Sequence, residues 1–248
     1  MDLVDLPAVT LVAVTSVALE PTLSALRTSM REARFGRVLL LSDEPPEESD
    51  GRIEWRRIEP LASREDYSRF MLRELAAHIE TSHALCIQWD GFVLDGTRWN
   101  PAFLNYDFIG APWPHFEDEY KVGNGGFSLR SRRLLDACAS LPFDGAKPED
   151  VVISRLCRPL LEARGIRFAP ENIALEFAYE RTNCSGREFG FHGAFNLVRY
   201  LSPDDAVDLF RSLEPGLLAR NERWELLRWA LVHARARLAL VLLNRLLR

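Results

Sequence analysis

The sequence lacks cysteine pairs at metal-ligand spacing, an apolar run long enough to cross a bilayer, a basic leader and any excess of positive charge. Its four cysteines, Cys86, Cys138, Cys157 and Cys184, form no C-x-x-C or related pattern, which excludes zinc and redox motifs of that kind. Most lie in apolar periodic segments, where a free thiol behaves as a small hydrophobe. A reducing cytoplasm is the simplest compartment for them. The chain opens with Asp2 and Asp5 and no basic n-region, so Val9–Leu19 reads as a strand and turn rather than a signal peptide. A net charge of -5 gives no general reason to bind nucleic acid. The charge is uneven: acids crowd Asp43–Asp50, while arginine dominates the C-terminus. What remains is 248 residues, 47% hydrophobic and 27% charged, the composition of one large soluble domain or a domain with an appendage.

Val9–Val14 is a continuous β-branched apolar run, the pattern of a strand buried on both faces. Pro21 introduces a helical stretch with Leu23, Leu26 and Met30 inward, and Arg37–Leu41 is a second apolar run. Strand, helix and strand at this spacing make a βαβ unit. Ligands in open α/β sheets gather beyond the carboxyl ends of strands, which places Thr15, Ser16, Ser42 and Asp43 to meet one. Capping of helices and turns accounts for the same residues equally well. Ile53–Ile58 suits a short strand, Ser63 and Asp66 open a helix carrying Phe70, Leu72, Leu75 and Ile79, and Leu85–Ile87 follows as a buried strand. The order to this point is β-α-β-β-α-β.

That fourth strand ends on Gln88-Trp89-Asp90-Gly91 before the apolar run resumes. An aspartate at a buried strand edge has lost much of its water and needs a partner, most usefully a cation. The plainer reading is a turn aspartate before glycine. Trp99–Trp113 is dense in aromatics that suit a core, except that Trp113, between Pro112 and Pro114, is poorly placed for one; a sugar-stacking platform is the other use of such rings. His115–Lys121 is charged and has the character of a mobile lid. In Val122-Gly123-Asn124-Gly125-Gly126, three glycines let backbone approach a ligand and present N–H groups, or simply form a tight turn into Phe127–Leu129. The stretch has no P-loop lysine and no G-x-G-x-x-G spacing, so it is not a standard phosphate cradle. Ser131–Ala139 reads as a helix. Pro148-Glu149-Asp150 opens another, Val151–Ala163, and acids there are also ordinary helix-start chemistry. Ile166–Ala169 suits a strand, and Phe189–Gly193 holds His192 among glycines and aromatics.

Together these stretches resemble the DUF5672 family, predicted glycosyltransferases with a GT-A-like fold. The matching text is Gln88–Leu94, Asp107–Trp113, Val122–Arg130, Glu149-Asp150 and Phe189–Gly193, spread between Val9 and Asn196. The resemblance implies an α/β, GT-A-like (Rossmann-like) mixed and mainly parallel sheet flanked by helices over residues 1–200, with a helical extension at 201–248. It further implies a nucleotide-sugar donor held at the strand ends, with Mn2+ or Mg2+, and a glycan or other hydroxyl acceptor in surface-polysaccharide biosynthesis. The D-x-D motif that binds metal-diphosphate in GT-A enzymes has its place taken by Gln88-Trp89-Asp90. By the same match Gly123–Gly126 line the donor or acceptor site, Glu149 and Asp150 form the catalytic pair with Asp150 as base in an inverting transfer, and His192 joins Asp90 as metal ligand. The chemistry suits these residue types: hard oxygens and an imidazole favour Mg2+ or Mn2+, and a carboxylate can take the acceptor proton.

Beyond Ser202, a predicted helix cap, Arg220–Arg248 reads as one long helix with an apolar stripe of Trp224, Leu227, Leu231, Ala234, Leu238 and Leu242 and seven arginines against two glutamates. Such a helix packs on the domain, pairs with a copy of itself, or lies at an anionic membrane surface. Gln88 standing in place of an acid also leaves open a non-catalytic nucleotide-sugar or carbohydrate-binding module, or a scaffold of a polysaccharide assembly complex.

Overall fold

The computed structural model describes residues 3–48, 50–214 and 216–246. They divide into two compact units, Met1–His192 and Gly193–Arg248.

The first unit opens with β1 (Val4–Thr15), α1 (Leu19–Glu32), β2 (Ala33–Ser42), β3 (Glu54–Arg57), α2 (Arg64–Arg73) and β4 (His83–Ile87). The order β-α-β-β-α-β is therefore as expected from periodicity. It continues with β5 (Phe108–Gly110), β6 (Phe127–Ser131) and α3 (Arg132–Cys138). The sheet runs β3-β2-β1-β4-β6-β5. β1, β2, β3 and β4 are mutually parallel, and β6 is antiparallel to both β4 and β5. This is a mixed, mainly parallel, Rossmann-like α/β sheet.

The unbroken apolar runs become legible once the side chains are sorted by face. In β1, Leu11 and Ala13 enter one core with Leu40, Leu85 and Ile87, whereas Val12 and Val14 enter the other with Leu39, Leu41 and Cys86. Period-two alternation in a strand covered on both sides therefore needs no polar face. Register places Ala13 beside both Leu40 and Ile87, so the carboxyl ends of β1, β2 and β4 lie along one edge. Residues Thr15, Asp43 and Gln88 follow there.

Caps follow the sequence where hydroxyls are present. Ser63 Oγ accepts from the Asp66 N–H at 3.0 Å, and Ser131 Oγ accepts from the Leu134 N–H at 3.0 Å. Three expectations fail. The helix expected over Val151–Ala163 is broken into a single turn, α4 (Glu149–Val151), a π turn at Val152–Leu156 and α5 (Arg158–Ala163), because Pro159 has no N–H to continue the ladder. Ile166–Ala169 is no ladder strand; only Phe168 bridges, to Phe108. Trp113 is 7% exposed and packs on Gly123, so its neighbouring prolines deliver it inward. The unit closes with α6 (Glu171–Phe177) and a two-stranded parallel pair, β7 (Ala178–Tyr179) and β8 (Gly190–Phe191).

The second unit contains α7 (Ala194–Leu197), α8 (Pro203–Ser212), α9 (Arg220–Val232) and α10 (Ala236–Leu246). It begins eight residues before the expected boundary at 200/201, because α7 packs with α9. The single long helix expected from Arg220 is two helices. The chain leaves α9 through a Schellman turn: Ala234 N–H donates to the Leu231 carbonyl at 3.3 Å and Arg235 N–H to the Ala230 carbonyl at 2.8 Å. Ala234 sits at φ 53 in the position usually given to glycine. The break rephases the apolar stripe. Leu226, Leu227, Ala230, Leu238 and Leu242 are buried, while Trp224 and Leu231 are left 45% and 64% exposed. Among the described residues no helix is long and apolar enough to cross a membrane.

An alanine Cβ in the left-handed region costs about 1–2 kcal/mol, which glycine does not bear. Ala234→Gly is therefore expected to stabilise the second unit by about 1 kcal/mol, read as a higher thermal midpoint. A lower midpoint would show that residue 234 is not left-handed.

Candidate active site

Four stretches distant in sequence meet at the carboxyl edge of the parallel strands. Immediately after β4, the Gln88 N–H donates to the Gly126 carbonyl at 2.9 Å, stitching the strand end to the glycine-rich loop. Gln88 Nε2 donates to the Tyr67 hydroxyl on α2 at 3.0 Å, which turns Gln88 Oε1 toward His192 Nε2 at 3.2 Å. The same Nε2 lies 3.2 Å from Asp90 Oδ1. On the other side of the ring, Nδ1 is 3.3 Å from Glu180 Oε1 and 3.2 Å from Asn124 Nδ2. His192 is thus the hub of the cluster. Burial opposes a charge on this ring, but Asp90 and Glu180 raise its pKa well above that of an ordinary histidine.

The glycine loop is shaped by what packs on it. A Cβ at residue 126 would fall 2.1 Å from His192 Nε2, and one at residue 125 would fall 2.8 Å from both the Asp150 Cβ and Glu149 Oε1. No side chain can enter there without expelling the imidazole or the acids. Three of the N–H groups expected to face a ligand are already engaged: Asn124 Oδ1 accepts from Gly126 and Phe127 at 3.1 and 3.3 Å, and Asp150 Oδ2 accepts from Gly125 at 3.2 Å. The loop therefore positions His192 and Asp150.

The two neighbouring acids are unlike each other. Glu149 is 4% exposed, and its Oε1 accepts from Arg130 Nη2 at 3.0 Å; Arg130 is wholly buried. Arg130 also donates to Ser128 Oγ at 3.0 Å and to the Gly125 carbonyl at 3.3 Å. Asp150 is half-buried, with the Val151 N–H on Oδ1 at 2.7 Å. Burial first, and then the charge of Glu149, push its carboxyl up to about 7, partly offset by its N–H donors and Arg130.

The remaining predicted residues stand outside this network. Thr15 Oγ1 accepts from Val17 and Ala18 N–H groups at 3.3 and 3.1 Å, and Ser16 Oγ accepts from the Leu61 N–H at 3.0 Å. Asp43 and Trp89 are half-buried at the same sheet edge. The expected lid is pinned: Asp118 takes both Nη groups of Arg155 at 3.0 and 2.6 Å, and that guanidinium lies 3.6 Å from the Phe116 ring centre. Tyr67, Arg130 and Glu180 belong to the cluster although sequence reasoning had not singled them out. Arg130 alone had a signal, as the end of the Val122–Arg130 stretch.

A divalent cation is implied by the resemblance, and the donors suit one. Asp90 is 7% exposed, and its Oδ1 has no aligned hydrogen-bond partner although His192 Nε2 stands 3.2 Å away. Gln88 Oε1 adds a second hard oxygen, and Glu180 on Nδ1 is the carboxylate that orients a ligating imidazole. Among the described residues no group of three or more His, Cys, Asp and Glu is arranged to hold a metal. Asp90, Gln88 Oε1 and His192 alone would hold an ion only if phosphate oxygens and water supplied the rest of its shell, as they do in many Mg2+ sites.

The first unit is thus a Rossmann-like α/β domain with a carboxylate-imidazole site at its strand ends. Residues 52–192 match the family described as "Protein of unknown function (DUF5672)", and the chain belongs to that family. A mannosyltransferase from Pyrobaculum calidifontis, in complex with GDP-Man and Mn2+, is similar at 10% identity and a TM-score of 0.42; the match covers 68% of this chain and spans 57% of that one. No curated protein matches the chain in sequence.

The contrast between the acids is measurable. Glu149→Gln leaves Arg130 buried without its counter-charge and is expected to cost about 3–5 kcal/mol in chemical denaturation. Asp150 holds its proton more tightly folded than at its ordinary 3.8, so its contribution to stability falls as pH rises from about 4 to about 7. Melting of Asp150→Asn across that window should lose this slope; an unchanged slope would place the titration elsewhere.

Proposed function

We propose that the protein is a glycosyltransferase moving a sugar from a nucleotide-sugar donor to a hydroxyl of a glycan or other acceptor, with surface-polysaccharide biosynthesis as its setting. The observation that supports this reading is the convergence of Asp150, Gly125, Asn124, His192 and Asp90 at one loop, with contacts of about 3.2 Å between Asp150 and Gly125, Asn124 and His192, and His192 and Asp90. A proton acceptor and a candidate cation site thus share one loop, and transfer from a diphosphate leaving group needs both.

Asp90 and His192, with Gln88 Oε1, would hold Mn2+ or Mg2+, which when bound supplies Lewis-acid neutralisation of the departing diphosphate. The ends of β1 and β2, with Thr15, Ser16 and Asp43, and Trp89 beside them, take the nucleoside part of the donor. Asp150 accepts the proton of the acceptor hydroxyl as its oxygen attacks the anomeric carbon and the nucleoside diphosphate leaves with inversion. Its pKa near neutrality suits that task, because a base works best when its pKa lies near the working pH. Glu149 serves this reaction indirectly. It holds Arg130, which braces the Gly125 carbonyl, and its charge keeps Asp150 basic.

Gln88 in place of a carboxylate favours the second reading, a module that binds a nucleotide sugar without transferring it. Incubation with UDP-, GDP-, TDP- and CMP-sugars and Mn2+ decides between them. Cation-stimulated hydrolysis or transfer supports the enzyme; tight binding without turnover supports the module. Given turnover, Asp150→Asn should lower kcat by about 10²–10⁴-fold with donor affinity nearly unchanged, and wild-type kcat should fall as pH drops through about 7. Near-normal turnover of the Asn variant would remove Asp150 from the base role.

A further inference from the structure

The second unit carries a cleft of its own. A cavity of about 810 Å3 opens among α8, α9, α10 and the segment 216–218, and four arginines line it: Arg211, Arg223, Arg237 and Arg245. Leu240 and Val241 make part of the wall between them, and no carboxylate lines it among the described residues. Two of the guanidinium groups are held by backbone. Arg223 Nη1 donates to the Arg245 carbonyl at 2.6 Å, and its Nε is buried without a partner; Arg245 Nη2 donates to the carbonyls of Arg211 and Leu213. Bonds to carbonyls orient these groups. Arg237 meets Asp204 at 2.5 Å, but the two side chains are 66% and 72% exposed, where such a pair contributes little and is readily exchanged. The cleft is therefore a concentration of positive charge with apolar walls.

The helices beside it are apolar on the outside as well. Leu231, Val232, Leu240 and Leu243 are 64%, 80%, 62% and 41% exposed, and Trp224 is 45% exposed. Arg220 and Arg228 share the outer face of α9 with Trp224 and Leu231 by helical spacing. Residues 193–248 hold nine arginines, no lysine and six acids, a net +3, although the whole chain carries -5. Guanidinium groups bind phosphate through paired N–H donors, which an ammonium cannot do.

We propose that this arginine-walled cleft and the exposed apolar edges of α9 and α10 bind the surface of an anionic phospholipid bilayer, the cleft receiving a phosphodiester headgroup. Charge complementarity selects this occupant. A symmetric contact with a second copy would set arginine against arginine, and a small free anion would leave the apolar wall unused. The first unit, at net -8 by difference, is repelled by an anionic leaflet, so attraction falls to this face. Nothing in this proposal depends on sugar transfer.

Co-sedimentation of the full-length chain with phosphatidylcholine vesicles, and with vesicles that also contain phosphatidylglycerol, tests it. Binding is expected only to the second kind and should weaken as salt is added. Arg211→Gln combined with Arg237→Gln, both at exposed positions, should lower partitioning about fivefold for each residue, ~25-fold together, with the circular dichroism melt unchanged. Leu231→Ser with Val232→Ser, which empties no core, should lower it independently. Equal binding to both vesicles would overturn the proposal, as would no binding to either, or a salt-resistant dimer abolished by Leu240→Asp.

Discussion

The His192 ring occupies space that any side chain at residue 126 would need, and the arrangement of the strand edge depends on that occupation. Once the ring is seated, its two nitrogens face Gln88 and Asp90 on one side and Asn124 and Glu180 on the other. Three segments of the first unit, those of Gln88–Asp90, the glycine loop and Glu180, are thereby held to one imidazole. The glycine at 126 contributes by having nothing to offer, and the backbone bond from Gln88 to the Gly126 carbonyl keeps loop and strand end from separating. A chemical site and a structural clasp are here the same set of contacts.

The adjacent acids Glu149 and Asp150 show how one turn of chain divides two tasks. Within the short α4 turn, Glu149 points to Arg130 and disappears from solvent, whereas Asp150 turns to the Gly125 N–H and keeps part of its surface. A buried ion pair is weak evidence for stability by itself, since desolvation offsets much of the attraction. Here its consequence is electrostatic. The fixed negative charge of Glu149 raises the proton affinity of its neighbour, and separation of two carboxyl environments is how acid and base roles are usually set.

Much of this was readable before any coordinates. Unbroken β-branched runs told of strands covered on both faces, and Ser63, with Asp66 after it, marked a helix start that the bonds reproduce. The sequence also pointed to the meeting pieces, Gln88–Asp90, the glycine loop, Glu149-Asp150 and His192. What it withheld was the reason for the glycines, because periodicity does not reveal which distant ring fills the space beside a missing Cβ. Glu180 and Tyr67 were hidden for the same cause: one lies at the head of a polar loop, the other in an ordinary amphipathic helix, and only the fold turns them inward. The α9–α10 break was concealed by alanine at a position where glycine would have announced it.

That break has a consequence for the second unit. A single straight helix would have used its apolar stripe once, along one side. Ending α9 at a Schellman turn lets Leu226, Leu227 and Ala230 bury with Leu238 and Leu242 across a hairpin, and leaves Leu231, Val232, Leu240 and Leu243 as surplus apolar surface. Exposed apolar residues scattered singly need no explanation. Four aliphatic side chains on a two-helix hairpin, beside a cleft walled by arginine, are a different matter, because the hairpin already has the core it needs. The surplus and the charge together are the composition expected of the lipid-facing surface proposed for this unit.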